Sequence, residues 1–280
     1  MAEITAKMVQ ELRSKTGISM MDCKKALAAT NGDVEAAIEH LRVAGNAKMA
    51  ARSSSRSTEF GRIAIAVHGD VGAMVELKCE SAPVAGNAEF AQLAQDMAEA
   101  MVKQPAASAE ELMGFASTSK PGTTIREQCD ELANRIREVF RVGRILRVDG
   151  KCTRYLHHTN DLGVLLVCQG EVNEATGTDV CMQIAAMCPA VIAQEDLDPA
   201  IVEKERRIQI ETLKNDPANA KKPEAILAKI VDGRMHNFFA EQCLLDQEYV
   251  KEAGKTIRAF IQETAPAMTV VAFHRWKVGE

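Results

Sequence analysis

Three side chains with metal-binding or nucleophilic chemistry lie close together near the middle of the chain: Cys152, His157 and His158. A thiol and an imidazole can share a metal ion, or they can act together as a nucleophile and its base. However, Cys152 and His157 are five residues apart in a segment that reads as a strand, so they would face opposite sides of a sheet. No second ligand pair with zinc-type spacing follows. The sequence therefore predicts no metal site and no catalytic residue.

The sequence also contains no pattern that indicates a bound cofactor. No glycine-rich phosphate loop ending in Lys-Ser or Lys-Thr occurs, so we expect no nucleotide or other cofactor to bind to this chain. Trp276 is expected in the core. The remaining histidines have no evident partner and are expected at the surface or at helix ends: His40, His68, His236 and His274. We therefore expect a protein that is not an enzyme and acts by binding.

Composition restricts the kind of partner. The net charge of −5 argues against nucleic acid or an anionic membrane as the main partner. No apolar run is long enough to span a bilayer, and residues 1–4 lack the basic and apolar regions of a signal peptide. The eight cysteines are dispersed without a Cys-x-x-Cys pair, which favours reduced thiols and a cytoplasmic location.

A short helix near the N-terminus carries the clearest binding signal. Ser19, with Asp22 three residues later, marks its start. The residues at helical spacing predict an apolar face made of Met20, Cys23, Ala26 and Leu27. Met21 lies off this face, among Lys24 and Lys25. An exposed methionine in such surroundings often contacts a partner, and a half-buried methionine at a helix end is the alternative.

Two further helices complete an N-terminal module. Thr5 can cap the first helix, which Gly17 ends, and Asp33 can cap a third helix that Gly45 closes. Three short helices with tight turns resemble a ubiquitin-associated module, a class that binds other proteins. The polar run 52–57 then predicts a flexible linker, so the module (residues 1–55) is expected to be tethered rather than packed.

The hydrophobic period changes from helical to alternating after the linker. Segments 62–68 and 73–79 predict a β-hairpin. A helix over 87–102 follows, with Phe90, Leu93, Ala94, Met97 and Met101 on its apolar face. Thr124 with Glu127 then marks the start of another helix, and a strand is predicted over 144–148. This plan repeats in strands 152–157 and 163–169, a helix over 179–187 and a last strand over 268–276. We therefore predict an α+β fold of two related subdomains, each a small antiparallel sheet covered by helix, over residues 56–149 and over 150–187 with 236–280.

An insertion over residues 188–235 separates the two parts of the second subdomain. Asp198 followed by Pro199 predicts the start of a charged helix, and Pro223 the start of a second one. The polar stretch 215–223 joins them as a turn, so the insertion reads as an antiparallel, coiled-coil-like helical hairpin.

Several short motifs resemble the elongation factor Ts family. They are Leu12-Arg13, Thr16-Gly17, the run from Met20 to Leu27, Asn31-Gly32-Asp33, Tyr155-Leu156-His157, Val202-Glu203-Lys204-Glu205 and Val231-Asp232-Gly233-Arg234-Met235. The order of module, two-part core and inserted hairpin is also similar, and the resemblance covers essentially the whole chain.

The resemblance implies a guanine nucleotide exchange factor for elongation factor Tu in translation elongation. Such a protein binds the GDP-bound and nucleotide-free partner, promotes release of GDP and magnesium, and is displaced when GTP binds. Carried over by position, the partner-binding residues are Arg13, Met20, Met21, Lys24 and His157. The segment from His157 to Gly163 is one residue longer than the family pattern. The hairpin is also a candidate surface for a homodimer.

A loop that the family uses to dislocate magnesium departs from its pattern here. It falls on Ser81, Ala82, Pro83 and Val84, so that Ala82-Pro83 replaces an Asp-Phe pair. The alternative function is a plain adaptor that holds a partner through the N-terminal module alone. A duplicated core favours exchange, because an exchange factor must contact its partner at two places.

Overall fold

The computed structural model describes residues 4–53, 55–216 and 222–280, with only the backbone of Ala50. The chain packs as two compact units. The first consists of Met1–Asp149, Leu156–Gly163 and Trp276–Glu280, and the second of Gly150–Tyr155 and Val164–Arg275.

The N-terminal helices are α1 (Ala6–Thr16), α2 (Met20–Ala29) and α3 (Val34–Ser53). Their predicted caps are present. The Thr5 hydroxyl accepts from the Met8 N–H at 3.3 Å, and Gly17 ends α1 in the left-handed region with φ 68°. Asp33 Oδ1 accepts from the Ala36 N–H at 3.0 Å at the start of α3. The three helices share a core of their own, in which Leu12 and Leu27 are fully buried.

The first sheet has the antiparallel order β1-β2-β3, from Phe60–His68, Val71–Cys79 and Arg141–Asp149. Four helices lie between β2 and β3 in the sequence: α4 (Ala82–Ala85), α5 (Ala88–Lys103), α6 (Ala109–Met113) and α7 (Ile125–Ile136). The predicted apolar face of α5 is buried against this sheet, with Phe90, Leu93 and Met97 fully inaccessible. Helix α7 begins with the predicted capping box of Thr124 and Glu127.

Helix α3 differs from the prediction. It continues through Gly45 to Ser53, so the predicted helix end at Gly45 is wrong. A Cβ at Gly45 would lie 2.6 Å from the Asn134 side chain of α7, so the glycine permits close helix packing. Asn46 beside it donates to Asp130 and accepts from Asn134, at 2.9 and 2.7 Å. The prediction of a module that is tethered rather than packed is therefore wrong.

The second sheet has the order β4-β5-β6, from Lys151–Leu156, Leu162–Gly170 and Met268–Lys277. Helices α8 (Glu174–Met187), α9 (Pro199–Asn215), α10 (Glu224–Gln242) and α11 (Ile257–Thr264) lie between β5 and β6 in the sequence. Helix α8 begins five residues earlier than predicted, where Asn173 accepts from the Thr176 N–H at 3.1 Å. The predicted α+β layout with two small antiparallel sheets is confirmed.

Helix α11 was not predicted, although the sequence marks it. Gly254-Lys255-Thr256-Ile257-Arg258 repeats the pattern Gly-x-Thr-Ile-Arg that starts α7 at residues 122–126. The two glycines have φ of 83° and 80°, and both threonine hydroxyls accept a capping bond at 3.2 Å. The isoleucine N–H groups donate to Phe115 and Gln247 carbonyls at 2.8 and 3.0 Å. This repeated device supports the duplication of the core.

The inserted hairpin consists of α9 and α10. Asp198 caps α9 by accepting from the Ala200 N–H at 2.8 Å, with Pro199 at the first helical position as predicted. The two helices pack through Leu213, Val231 and Met235. The predicted turn over 215–223 lies mostly outside the described residues. Among the helices that the structure describes, none has the length and apolar character needed to cross a bilayer.

Candidate functional site

The exposed surface of α2 presents the two methionines. Met20 is 47% exposed and Met21 63% exposed, and Lys24 and Arg13 are also at the surface. Met21 therefore lies off the apolar face, as predicted. The placement of Met20 on that face is wrong, because Met20 is the first residue of α2 and does not belong to the module's core.

Helix α2 is fixed from beneath and at its start. Cys23, Ala26 and Leu27 are buried between α1 and α3. Ser19 caps the helix, since its hydroxyl accepts from the Asp22 N–H at 3.3 Å and lies 2.8 Å from Asp22 Oδ2. The exposed methionines thus stand on a helix that core packing and capping hold in place.

Asp22 also contacts the end of α7. Arg137 Nη2 donates to Asp22 Oδ2 at 2.6 Å. The Ser19 hydroxyl holds the pKa of Asp22 below its usual value, with help from the positive charges of Arg137, Lys48 and Lys25, although partial burial opposes the shift. Asp22 is therefore ionised at neutral pH, next to the methionine pair.

The predicted loop at Ser81–Val84 forms a single helical turn, α4. Gly86 N–H donates to the Ala82 carbonyl at 3.2 Å, and Ala85 N–H donates to the Ser81 carbonyl at 3.2 Å. Pro83 lies at the second helical position, where the missing N–H would have no partner within the helix. Ala82 and Pro83 are exposed, whereas Val84 is buried in the core. The turn is an exposed apolar tip with a buried anchor.

Glu138 holds the start of α4. Its Oε2 accepts from the Glu80 and Ser81 N–H groups at 3.1 and 3.2 Å, and its Oε1 accepts from the Ser81 hydroxyl at 2.6 Å. In return, Glu80 Oε1 accepts from the Val139 N–H at 2.8 Å. Burial opposes ionisation of Glu80, but this N–H and the Arg56 guanidinium outweigh it and lower its pKa.

His157 lies in a turn after β4, which ends at Leu156, rather than in the strand as predicted. Its N–H donates to the Leu162 carbonyl at 2.9 Å, and its carbonyl accepts from the Asn160 N–H at 2.8 Å. The imidazole Nδ1 lies 2.6 Å from the Thr159 hydroxyl, which in turn donates to Asp161. The Nδ1 atom of the ring therefore has a partner within the turn.

The turn and α4 line one groove of about 390 Å³ in the first unit. Ala82, Ala85 and Gly86 contribute from α4 and its end, and Thr159, Asn160 and Asp161 from the turn. The Asn160 carbonyl accepts from the Ile63 N–H of β1 at 2.7 Å, which fixes the turn on the sheet. The structure thus brings the two predicted contact elements of the core together. The methionines of α2 do not line this groove.

The structure places His40, His68 and His236 at the surface, as predicted, whereas His274 is half-buried on β6. His68 has a partner after all, with Nε2 at 2.7 Å from Glu99 Oε2. Trp276 is half-buried rather than in the core, and the Arg144 guanidinium lies 5.0 Å from its ring centroid.

The described residues contain no cluster of His, Cys, Asp or Glu that could hold a metal ion. Burial raises the pKa of several thiols, to about 11 for Cys79, Cys168 and Cys243 and to about 12 for Cys129 and Cys181. These thiols are protonated at neutral pH and are poor nucleophiles.

The fold is therefore α+β, with N-terminal helices, two small antiparallel sheets and an inserted helical hairpin, and it exposes apolar side chains on α2 and α4. A family model described as "Elongation factor TS" matches residues 80–280. The chain therefore belongs to the elongation factor Ts family. The family serves protein biosynthesis as a nucleotide exchange factor for elongation factor Tu, and it is not a catalytic enzyme in the usual sense.

Arg137 and Glu138 were not singled out by the sequence. Their contacts join residues far apart in the chain, 115 positions for Arg137 with Asp22 and 57 for Glu138 with Ser81. No local pattern reports such pairs. One indirect sign exists, since the start of α7 is clearly marked by its capping box and the helix must end shortly before β3.

Proposed function

We propose that this chain binds elongation factor Tu in its GDP-bound form, promotes release of GDP and magnesium, and leaves when GTP binds. It needs no cofactor of its own and acts in the cytoplasm. The mechanism is a coupling of two binding equilibria, because a protein that weakens GDP binding must itself be bound more weakly by the GDP form. Family membership over residues 80–280 supports this role.

The grip on the partner is proposed to lie on α2 and the end of α1. Met20 and Met21 supply adaptable apolar contact, and Arg13 and Lys24 supply positive charge at the rim. This proposal is supported by the exposure of Met20, Met21 and Lys24 on α2 and of Arg13 on α1. The shared core of the three N-terminal helices holds both helices in place. The turn of His157 is proposed as a second contact, on the core.

The exposed tip of α4 is the main structural support for the proposed exchange mechanism. Ala82 and Pro83 are exposed on a turn that Val84 anchors in the core and Glu138 holds at its start. Ala82 cannot compete for magnesium as a carboxylate would. We therefore propose that Pro83 acts as a stiff apolar wedge that displaces a partner helix near the magnesium and phosphate site. On this account, Ala82→Asp changes the exchange rate less than Pro83→Gly.

The hairpin supports a further proposal, a homodimer formed through α9 and α10. Ile201, Ile208 and Ile226 are between 44% and 52% exposed there, and together they offer apolar area to a second copy. Sedimentation equilibrium of the full chain and of an Ile208→Glu variant tests it. A monomeric full chain at high concentration contradicts the proposal.

Release of a fluorescent GDP analogue from elongation factor Tu tests the proposed function. The labelled complex is mixed with excess unlabelled GDP and increasing amounts of this protein in a stopped-flow instrument. We expect the release rate to rise with concentration and to saturate, and catalytic amounts to exchange a stoichiometric excess of the complex. If a complex forms but the release rate does not change, the protein is an adaptor.

A further inference from the structure

The segment between α7 and β3 contacts both the helix that carries the methionines and the helix that carries Pro83. Arg137 reaches Asp22 on α2, and the next residue, Glu138, holds Ser81 at the start of α4. We infer that Arg137 and Glu138 are positioning residues, which fix α4 relative to α2. This inference rests on the proposed function, in which a partner held at α2 is strained at Pro83.

The Arg137 contact is built into the end of α7. Arg137 has φ 70°, and its N–H donates to the Ala133 carbonyl at 2.7 Å, so it closes the helix in the left-handed region. This conformation is uncommon for a residue other than glycine. It accompanies a side chain whose guanidinium forms a charge-assisted hydrogen bond with Asp22 at 2.6 Å. Asp22 is only 27% exposed, so this bond is partly shielded from solvent.

Glu138 provides hydrogen-bond acceptors for N–H groups at the start of the one-turn helix α4. The first N–H groups of a helix have no partner within it, and α4 is too short to be stabilised by its own hydrogen bonds. Ser81 provides no side-chain cap. Glu138 instead accepts three hydrogen bonds from Glu80 and Ser81, and its negative charge lies at the positive end of the helix dipole.

Glu80 also accepts a hydrogen bond from the segment that contains Glu138, so the two segments bind each other in both directions. Glu80 Oε1 accepts from the Val139 N–H at 2.8 Å, while Glu80 Oε2 lies 2.6 Å from Arg56 Nη1. The two backbone segments are therefore locked to each other by carboxylates from both sides. A force applied at Pro83 passes through this lock to the segment that also contacts α2, so little of it is lost in deforming α4.

Arg137 is not the only side chain that attaches the N-terminal module to α7. The module is also attached to α7 by Arg42 with Glu127 and by Asn46 with Asp130, both at 2.9 Å. Loss of the Arg137 side chain should therefore leave the module docked and have a modest effect. Glu138 accepts three hydrogen bonds at the start of α4, so its loss gives the sharper test.

The test measures stimulated GDP release from elongation factor Tu as a function of concentration, for the full chain and for three variants. Glu138→Ala removes the three hydrogen bonds that Glu138 accepts and leaves the Glu80 bond to Val139. Glu138→Gln keeps the shape and one carbonyl acceptor. Glu110→Ala is the matched control, since Glu110 is an 82% exposed carboxylate on α6 that pairs with Arg126 of α7.

We expect Glu138→Ala to lower the maximal stimulated rate by about tenfold, as loss of charge-assisted hydrogen bonds would allow. Its half-saturating concentration should change little, because α2 still grips the partner. Glu138→Gln should recover a large part of the rate, and Glu110→Ala should match the wild type. Hydrogen exchange at the Glu80 and Ser81 amides should be faster in Glu138→Ala.

The outcomes separate this inference from the function on which it rests. A wild-type chain that does not accelerate release overturns both. An active wild type with an equally active Glu138→Ala overturns the positioning role alone. So does a Glu138→Ala variant with unchanged amide exchange, or one that loses only affinity. If Glu138→Ala is unfolded by thermal scan, Glu138→Gln and Ser81→Ala decide, and rates equal to wild type in both overturn the inference.

Discussion

Met21 and Leu27 lie on the same short helix but differ completely in burial, so truncating each to alanine should affect different quantities. Leu27 is fully buried and Met21 is 63% exposed. Leu27→Ala removes core contacts and leaves a cavity, which should cost about 2–5 kcal/mol of unfolding free energy. Met21→Ala removes no core contact, so the free energy of unfolding should change by less than about 0.5 kcal/mol.

Affinity should follow the opposite order per folded molecule. A methionine at the centre of a contact is worth about 1–2 kcal/mol when it is truncated, which corresponds to a roughly 5- to 30-fold weaker complex. We therefore expect Met21→Ala to weaken binding to nucleotide-free elongation factor Tu by this factor. Met20→Ala should also weaken it, since Met20 is 47% exposed on the same surface.

The assay combines denaturant unfolding with isothermal titration calorimetry. Unfolding gives the stability of each variant, and the calorimetric stoichiometry gives the folded, binding-competent fraction. Lys25→Ala serves as a control for an exposed residue on the same helix outside the proposed contact. The reasoning is refuted if Met21→Ala destabilises the module while the affinity of the folded fraction stays at the wild-type value.

Three substitutions and one labelling experiment test other parts of the structure. Pro83→Gly should slow stimulated GDP release markedly and leave affinity for nucleotide-free partner nearly intact; a wild-type rate in stopped flow would mean the tip is passive. Gly45→Ala should displace the Asn134 side chain and break its hydrogen bond to Asn46, because the new Cβ would lie 2.6 Å from that side chain; the helix-propensity gain of about 1 kcal/mol offsets much of the cost to stability, so an unchanged Asn134 side-chain amide signal in NMR spectra would contradict this packing. Cys188, the exposed thiol at the end of α8, should react first with Ellman's reagent, as peptide mapping would show. Asp22, whose pKa is lowered by Ser19 and then by nearby cations, stabilises the fold above about pH 4, and this stability is lost as the pH falls through the lowered pKa; Asp22→Asn should therefore flatten the acid side of the stability profile, and an unchanged profile would argue against it.

The parts of the fold that the sequence predicts well are those governed by neighbouring residues. The caps at Thr5, Gly17 and Thr124 follow from hydrogen bonds that reach only three or four positions along the chain. The apolar face of α5 follows from helical spacing, and all its predicted residues are buried. Such features carry their own evidence in the local sequence.

The predictions from the sequence fail where a residue far away in the chain determines the local structure. Gly45 is typical of a helix end, but it lies inside α3, where its missing side chain leaves room for Asn134 of α7. The role of this glycine therefore could not be derived from the residues of α3 alone. Arg137 and Glu138 could not be identified from the sequence for the same reason, because their partners Asp22 and Ser81 are far away in the chain.

Helix α11 is a different kind of omission, because its signal was in the sequence. The pattern Gly-x-Thr-Ile-Arg at residues 254–258 repeats the one at 122–126, where Thr124 marks the start of α7. Comparing the two halves of the core residue by residue would have predicted it. The predicted contact residues of α2, of α4 and of the His157 turn could be chosen from sequence resemblance, whereas the groove shared by α4 and the turn required the structure.

The equilibrium linkage on elongation factor Tu tests the central claim most directly. The dissociation constant of this protein for elongation factor Tu is measured with and without saturating GDP, and that of GDP with and without saturating protein, at one magnesium concentration. The account predicts that each ligand weakens the other, and that the two ratios agree within error. Ratios equal to one, in a complex that forms readily, would contradict exchange by coupled binding.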